Sequence, residues 1–533
     1  MRGTKLFARV VSALAITSIC AVPAMAGPAT PIQHVVVIFQ ENVSFDHYFG
    51  TYPFAANTGV SGEPLFEADP STPSVNNLLA AGLLDHNPNF VSPNGNPFRL
   101  ARAQSATADQ DHGYTDEQAM FDFGLMDNFL EFNNGGAPNQ GHPNDLIMGY
   151  FDGNTVTAVW NYAQNYAMSD NSFGTTFGPS SPGAINLASG NTNGVDPASL
   201  KLGAASDVVA DGAGGLSLID DAQPGFDTCT SRDNVTFLST NKNIGDLLNA
   251  QGISWGFFQG GFDLTITNPN GSTGCQRTHS SITGVFPPKV DYIPHHEPFQ
   301  YYASTANFSH TRPTSVSAIG TSADAANHQY DIHDFFDAVS AGNFPAVSFL
   351  KAPGYEDGHA GYSSPLDEQI FLVNTINFIE SSPQWANTLI VINWDDSDGW
   401  YDHVHGPIVN QSITTADVGP AGSNGLNVNN GKQLCGNKNT NGIGGRCGYG
   451  PRLPFMVISP YAKSNYVDHG TTDQSSIIAF IEDNWGLPRI ANSMDAIAGS
   501  ITNMLDFSQK VNPGHRHQLF LDPSTGLVNG GHK

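Results

Sequence analysis

Four short apolar runs, rich in β-branched residues and widely spaced along the chain, constrain the fold most: His34 to Phe39, Ala346 to Leu350, Thr388 to Asn393 and Phe455 to Ile458. Each is followed by polar, Gly-rich or Pro-rich sequence, as buried strands of a mostly parallel sheet are. Between them stand helix-like stretches, Asp367 to Ile379 and Gln474 to Asn484. The first presents Ile370, Phe371, Val373, Ile376 and Phe378 as an apolar set. Strands alternating with helices predict an α/β sandwich with a mostly parallel central sheet flanked by helices. Candidate functional residues are spread from position 41 to position 396, which favours one large domain, 27–533, over several small ones. Two windows, 191–281 and 410–450, are rich in Gly and Asn and read as surface insertions.

The first residues read as an export signal. Arg2, Lys5 and Arg9 precede an apolar stretch from Val10 to Val22, and Ala24-Met25-Ala26 has the small-x-small pattern of a cleavage site. The stretch falls short of the roughly 20 residues that span a bilayer, so a stable membrane anchor is not expected. Cleavage near Ala26 removes three basic residues and no acidic one, taking the formal charge from -27 to -30. A chain this acidic lacks the electrostatic footprint of a nucleic-acid binder. If it binds phosphate, the attraction must be local and come from a metal ion, histidines and backbone amides. Of the five cysteines Cys20 lies in the presumed signal, leaving Cys229, Cys275, Cys435 and Cys447. Two disulfides are expected in an exported chain; sequence neighbours suggest 229 with 275 and 435 with 447, although three pairings are open.

The run after the first strand is Gln40-Glu41-Asn42-Val43-Ser44-Phe45-Asp46-His47. Its carboxylate and amide oxygen suit a hard divalent cation at the carboxyl edge of a parallel sheet; as a bare dipeptide they could equally cap a helix beginning near Ser44. The strand from Thr388 ends in Trp394-Asp395-Asp396-Ser397-Asp398-Gly399. Adjacent carboxylates repel by several kcal/mol in a poorly hydrated setting, and either a cation or exposure to water would relieve that. Phe177-Gly178-Pro179-Ser180-Ser181-Pro182-Gly183 reads as a tight turn into a helix with Pro182 near its first position, so that Ser180 either caps the helix or meets a phosphate at its amide end. Histidines stand in polar contexts at Asp109-Gln110-Asp111-His112, at His295-His296 and at Asp357-Gly358-His359. Imidazole alone among side chains changes charge near mildly acidic pH without a perturbing environment.

Together, Glu41 to Gly50, Phe177 to Pro182, Trp394 to Val404 and the segment Gly450 to Tyr461 resemble the bacterial phosphoesterase family, which contains secreted phospholipases C and a respiratory-burst-inhibiting type of acid phosphatase. The resemblance covers nearly all of the chain after the signal. Asp395-Asp396, Asp109 to His112 and the His295-His296 pair look more like the acid phosphatase branch. Ser180 and Gly183-Ala184 stand where the phospholipases commonly carry Thr and Asn-Arg. The resemblance implies a fold similar to alkaline phosphatase and one divalent metal ion held by Glu41, Asn42, Ser180, Asp395 and Asp396. Calcium, magnesium or manganese suits these oxygens better than zinc.

On that footing the chain is expected to be a secreted or periplasmic, metal-dependent phosphoric-ester hydrolase, an acid phosphatase acting through a phosphoserine at Ser180. His112, His295, His296 and His359 are expected around the transferring oxygens, their imidazolium forms standing in for a second metal and setting an acid optimum. The substrate expected is a phosphate monoester. The alternatives are a phospholipase C acting on head-group diesters and an exported protein that binds metal or phosphate without turnover.

Overall fold

The computed structural model describes Met1 and residues 27–91, 93–133, 145–199, 206–210, 214–230, 235–236, 238, 241–409, 447–509 and 517–529. Its centre is an eight-stranded sheet. In chain order the strands are β1 (His34–Gln40), β2 (Ala167–Ser169), β3 (Trp255–Gln259), β4 (Gln329–Asp331), β5 (Val347–Lys351), β6 (Thr388–Trp394), β7 (Phe455–Ile458) and β8 (Tyr466–Asp468). Across the sheet they run β4-β3-β5-β1-β6-β7-β2-β8, and every neighbouring pair is parallel except the two made by β7. All four apolar runs are strands of this sheet, their ends within one residue of expectation. Every residue of β5 and β6 is buried, and β1 is buried from Val35 onward, so both faces are covered.

The helices that matter here are α1 (Phe45–Phe49), α2 (Tyr114–Phe121), α3 (Thr157–Asn165), α4 (Ser180–Ser189), α5 (Ile244–Gln251), α6 (Ile332–Ser340), α7 (Pro365–Ser381) and α8 (Ser475–Trp485). Helix α4 packs against α8 and α5, and α3 against α7. Local chemistry accounts for where α7 starts: Ser364 accepts the amide of Asp367, and Pro365 takes the first helical position, where its missing N–H costs nothing. Phe371, Val373 and Ile376 are buried as expected, joined by Leu372 and Ile379, while Ile370 and Phe378 are only half-buried.

The reading of 191–281 as a surface insertion is corrected by the sheet. That window contains α5 and β3, and β3 lies inside the sheet between β4 and β5, with Trp255, Phe257 and Phe258 fully buried. Gly, Ser and Asn around it diluted a five-residue apolar strand until it no longer stood out. The same window holds the disulfide between Cys229 and Cys275, with Cα atoms 5.2 Å apart. Cys435, nearly all of the signal at 1–26, and residues 410–446 of the second predicted insertion lie outside the described residues.

Register brings the functional segments together. Phe39 pairs with Lys351 across β1 and β5, and Gln40 pairs with Trp394 across β1 and β6. The residues that follow, Glu41 and Asp395, therefore leave the carboxyl edge of the sheet side by side, with Lys351 next to them. Three segments separated by up to 354 positions are set within contact distance by strand pairing alone.

Candidate functional site

At that edge the chain from β1 turns sharply. Asn42 takes a φ of 56°, a left-handed conformation that Asn tolerates better than most residues. Ser44 caps α1 by accepting the amide of His47, so Glu41 and Asn42 are not capping residues. Asp395 and Asp396 are each only 2% exposed, which removes the solvated-turn alternative.

Ser180 is the first residue of α4, behind Pro179 at the cap; it is not itself the cap, and Pro182 is the third helical residue. The helix can approach the sheet edge because residue 183 is glycine: a Cβ there would fall 2.2 Å from the carbonyl oxygen of Asp395. The Ser180 hydroxyl lies 3.0 Å from Asp396 Oδ2, 3.3 Å from Asn42 Oδ1 and 3.4 Å from Glu41 Oε2. One hydroxyl has one proton, so it cannot satisfy three acceptors. Separations of 3.0–3.4 Å match neighbouring ligand positions around a cation with bonds of about 2.1–2.4 Å. Asp395 Oδ1 accepts the amides of Asn42 (2.9 Å) and Asp396 (2.8 Å), while its Oδ2 is buried with no hydrogen bond and 3.9 Å from Lys351 Nζ. The set is all oxygen and short of positive charge, and it fits a hard divalent cation.

The electrostatics agree. Burial first, then the neighbouring Asp395, pushes the carboxyls of Glu41 and Asp396 well above the usual carboxylate range. Burial likewise lifts Asp398 well above it and Asp357 to about 7. Against them, among the described residues, Lys289 acts on Asp357, and two cationic side chains act on the wider set. Lys351 pairs with Glu41 Oε1, and although burial opposes its charge, Glu41, Asp395 and Asp357 hold it protonated. His112 is opposed by burial too, yet Asp396, Asp398, Asp109 and Asp221 keep it well above the ordinary imidazole range.

The four predicted histidines divide. His112, His295 and His359 line a cavity of about 370 Å³ beside the Ser180 cluster, shared with Asp109, Asp221 and Lys289. His112 Nε2 is 3.5 Å from Asn42 Nδ2, and the rings of His112 and His359 are 6.5 Å apart. His296 sits behind Glu41, its Nδ1 3.2 Å from Glu41 Oε1 and 3.8 Å from Asp357 Oδ2, and is not among the cavity-lining side chains. Burial, then His295 and Lys351, lowers His296 well below the ordinary range, and burial lowers His359 as well. The group is thus not four equivalent imidazolium ions. The helix-end reading also changes, because the amide of Ser181 is taken by Asp221 Oδ1 at 2.9 Å.

Several side chains at the site were not singled out from sequence. Lys351 was within reach, since it directly follows an apolar run already read as a strand. Asp398 and Asp357 lay inside quoted motifs. Asp221 sat in the misread window, and Glu117 on α2 carried no signal at all. Burial pushes the Glu117 carboxyl up to about 7.

A family model described as "Phosphoesterase family" matches residues 32–488. Among curated proteins the chain is similar to a non-hemolytic phospholipase C of Burkholderia pseudomallei, 24% identical over 502 residues, covering 90% of this chain and 60% of that protein. It is similar to phospholipase C B of Mycobacterium tuberculosis, 23% identical, covering 91% and 80%. A non-hemolytic phospholipase C of Pseudomonas aeruginosa is 23% identical, covering 91% and 59%. The chain thus spans about three fifths of the Burkholderia and Pseudomonas proteins. Among the described residues no helix is long and apolar enough to cross a membrane.

Proposed function

Because the chain belongs to the phosphoesterase family, we propose that it is an exported, metal-dependent hydrolase of phosphoric esters that attacks phosphorus with Ser180 and acts on monoesters as an acid phosphatase. The observation that carries this reading is the meeting of one hydroxyl with Glu41, Asn42 and Asp396 oxygens drawn from distant parts of the chain. Glu41, Asn42, Asp395, Asp396 and Ser180 would hold one divalent ion, with calcium, magnesium or manganese favoured over zinc by an all-oxygen set. When bound, it supplies Lewis acidity that lowers the pKa of the serine hydroxyl.

The chain's own groups do the rest. Ser180 Oγ bonds to phosphorus as the bond to the leaving oxygen breaks, and an imidazolium facing the cavity gives that oxygen its proton. Water then attacks the phosphoserine, losing a proton to the imidazole just formed, and Ser180 Oγ departs and recovers the proton it released to solvent on attack. His112 is a cation that both adjoins the cluster and lines the cavity, and it donates to phosphoryl oxygens. His359, whose proton affinity burial lowers, becomes a donor only toward acid pH, which favours an acid optimum. The start of the sequence and the Cys229–Cys275 disulfide support passage to an oxidising compartment.

A phospholipase C is the second reading, favoured by relatives described as phospholipases C that align over nine tenths of the chain. Assaying a chromogenic phosphate monoester, a phosphodiester and phosphatidylcholine side by side, with Ser180→Ala as control, separates the readings. Monoester turnover that Ser180→Ala abolishes supports the phosphatase. Exclusive turnover of phosphatidylcholine moves the assignment to the lipase, and no turnover of any ester in the metal-supplemented protein leaves only binding.

A further inference from the structure

Glu117 is a buried carboxylate that the reaction above does not use, and its two oxygens serve two different segments of the site. Oε2 accepts the amide of Gly178 at 2.8 Å, two residues before Ser180. Oε1 accepts the hydroxyl of Ser397 at 2.7 Å, one residue after Asp396. Ser397 Oγ in turn accepts the amide of Gly399 at 3.0 Å. Glu117 is 1% exposed, so these bonds face no competition from water.

Both segments need such support. The turn before Ser180 passes through Gly178 at φ 109°, and the turn after Asp396 through Asp398 at φ 53° and Gly399 at φ 72°. Turns of this kind lie outside the hydrogen-bond ladders that hold strands and helices in place. The element that bridges them is itself anchored: Tyr114 of α2 accepts the amide of Cys447 at 2.8 Å, and Phe121 packs edge-on against Phe177 at 5.0 Å.

We propose that Glu117 is a positioning residue, a buried clamp that fixes the turn carrying Ser180 against the turn carrying Asp396 and so sets the distance from nucleophile to metal ligand. The inference rests on the assignment of Ser180 as nucleophile. A glutamine can keep both contacts, accepting from Gly178 and donating to Ser397, whereas a leucine of similar size keeps neither.

The test uses full-length, metal-saturated Glu117→Gln, Glu117→Leu, Ser397→Ala and the Glu117→Leu/Ser397→Ala double variant, with kcat and KM measured per folded molecule on the best ester substrate. Glu117→Leu is expected to lower kcat by about 10–100-fold, the usual cost of losing a group that orients a ligand, with KM little changed. Glu117→Gln should restore most of that loss. The double variant should lose clearly less than the product of the two single losses, because both changes cut the Glu117–Ser397 link and Ser397→Ala adds only the loss of its bond to Gly399. A kcat per folded molecule at the wild-type level in Glu117→Leu, a glutamine as damaging as leucine, or additive losses would each overturn the clamp. If Glu117→Leu does not fold, an unchanged kcat in Ser397→Ala overturns it. Turnover that survives Ser180→Ala sinks the underlying assignment instead, which keeps the two failures apart.

Discussion

Two buried clusters of carboxylates lie a few residues apart on the same two motifs, and they are neutralised in different ways. Asp46 and Asp402 meet Arg452, whose Nε and Nη2 donate to Asp402 at 3.1–3.2 Å and whose Nη2 donates to Asp46 at 3.2 Å. His403 donates to Asp46 through its backbone at 2.9 Å and holds its ring Nδ1 2.5 Å away, while Asp402 also accepts the amides of Asp46 and Val404. Arg452 spends its remaining donors on the carbonyls of Asn76 and Asp170. That cluster is complete within the protein. Five to seven residues upstream of Asp46 and Asp402 the balance is different: Glu41, Asp395 and Asp396, together with Asp398 and Asp357, face chiefly Lys351 and His112, with Lys289 acting on Asp357. The first cluster is a structural tie, and the second is the proposed cation site. Buried charge of one sign marks function only where the protein has not supplied the opposite charge.

The contrast can be broken most sharply at Ser180. Ser180→Ala should lower turnover at least about 1000-fold while leaving the unfolding midpoint unchanged or raised; ordinary turnover with intact metal binding would sink the assignment. Next in size is the pair Arg452→Met and Asp396→Asn, compared by denaturant unfolding of chelator-treated protein. Removing Arg452 strands two buried carboxylates and should cost about 3–5 kcal/mol, whereas Asp396→Asn removes a like-charge repulsion and should leave stability equal or higher while activity is lost. Equal losses in the two variants would mean that both clusters are structural.

Chelation should act on one cluster alone. Returning calcium, magnesium or manganese to the chelated protein at 100 times its dissociation constant should stabilise it by about 2.7 kcal/mol, and Arg452→Met should show the same increment by calorimetry. The smallest effect expected is the pH dependence that His403 and Asp46 contribute in the Arg452 cluster. Burial opposes charge on His403, but Asp46 holds its pKa above the usual value. Its stabilisation is therefore complete below about pH 6.5 and is lost as pH rises through the folded-state pKa. Asp46 is opposed by burial as well, and His403 and Arg452 hold its pKa down, so its contribution is present above about pH 4 and is lost as pH falls through the lower folded-state value. His403→Gln should flatten the loss of stability on the alkaline side, measured by unfolding at a series of pH values.

Much of this was legible along the chain. Val35 to Phe39 and Leu389 to Ile392 announce central strands because a strand buried on both faces must be apolar at every position, and the polar residues that follow stand at the sheet's carboxyl edge. Ser180 was found from its turn and from its resemblance to a known motif. Glu117 was not legible, because a single charged residue amid ordinary sequence looks the same whether it is solvated or buried between two loops, and Arg452, although inside a quoted motif, gave no sign of which carboxylates it would meet. Strand β3 was missed for the opposite reason, its short apolar core being flanked by Gly, Ser and Asn that outweigh it in any window.

What the sequence determined by itself was local: which runs must be buried, where each ends, and which oxygen-bearing and imidazole side chains stand at those ends. The tertiary structure alone decided which of those side chains meet. Strand register placed Glu41 beside Asp395, the bare Cα of Gly183 let Ser180 reach Asp396, and Arg452 claimed Asp46 and Asp402 while leaving the other carboxylates without an equal partner. Charge balance in a buried cluster is a sum over groups far apart in the chain, and only the folded arrangement carries out that sum.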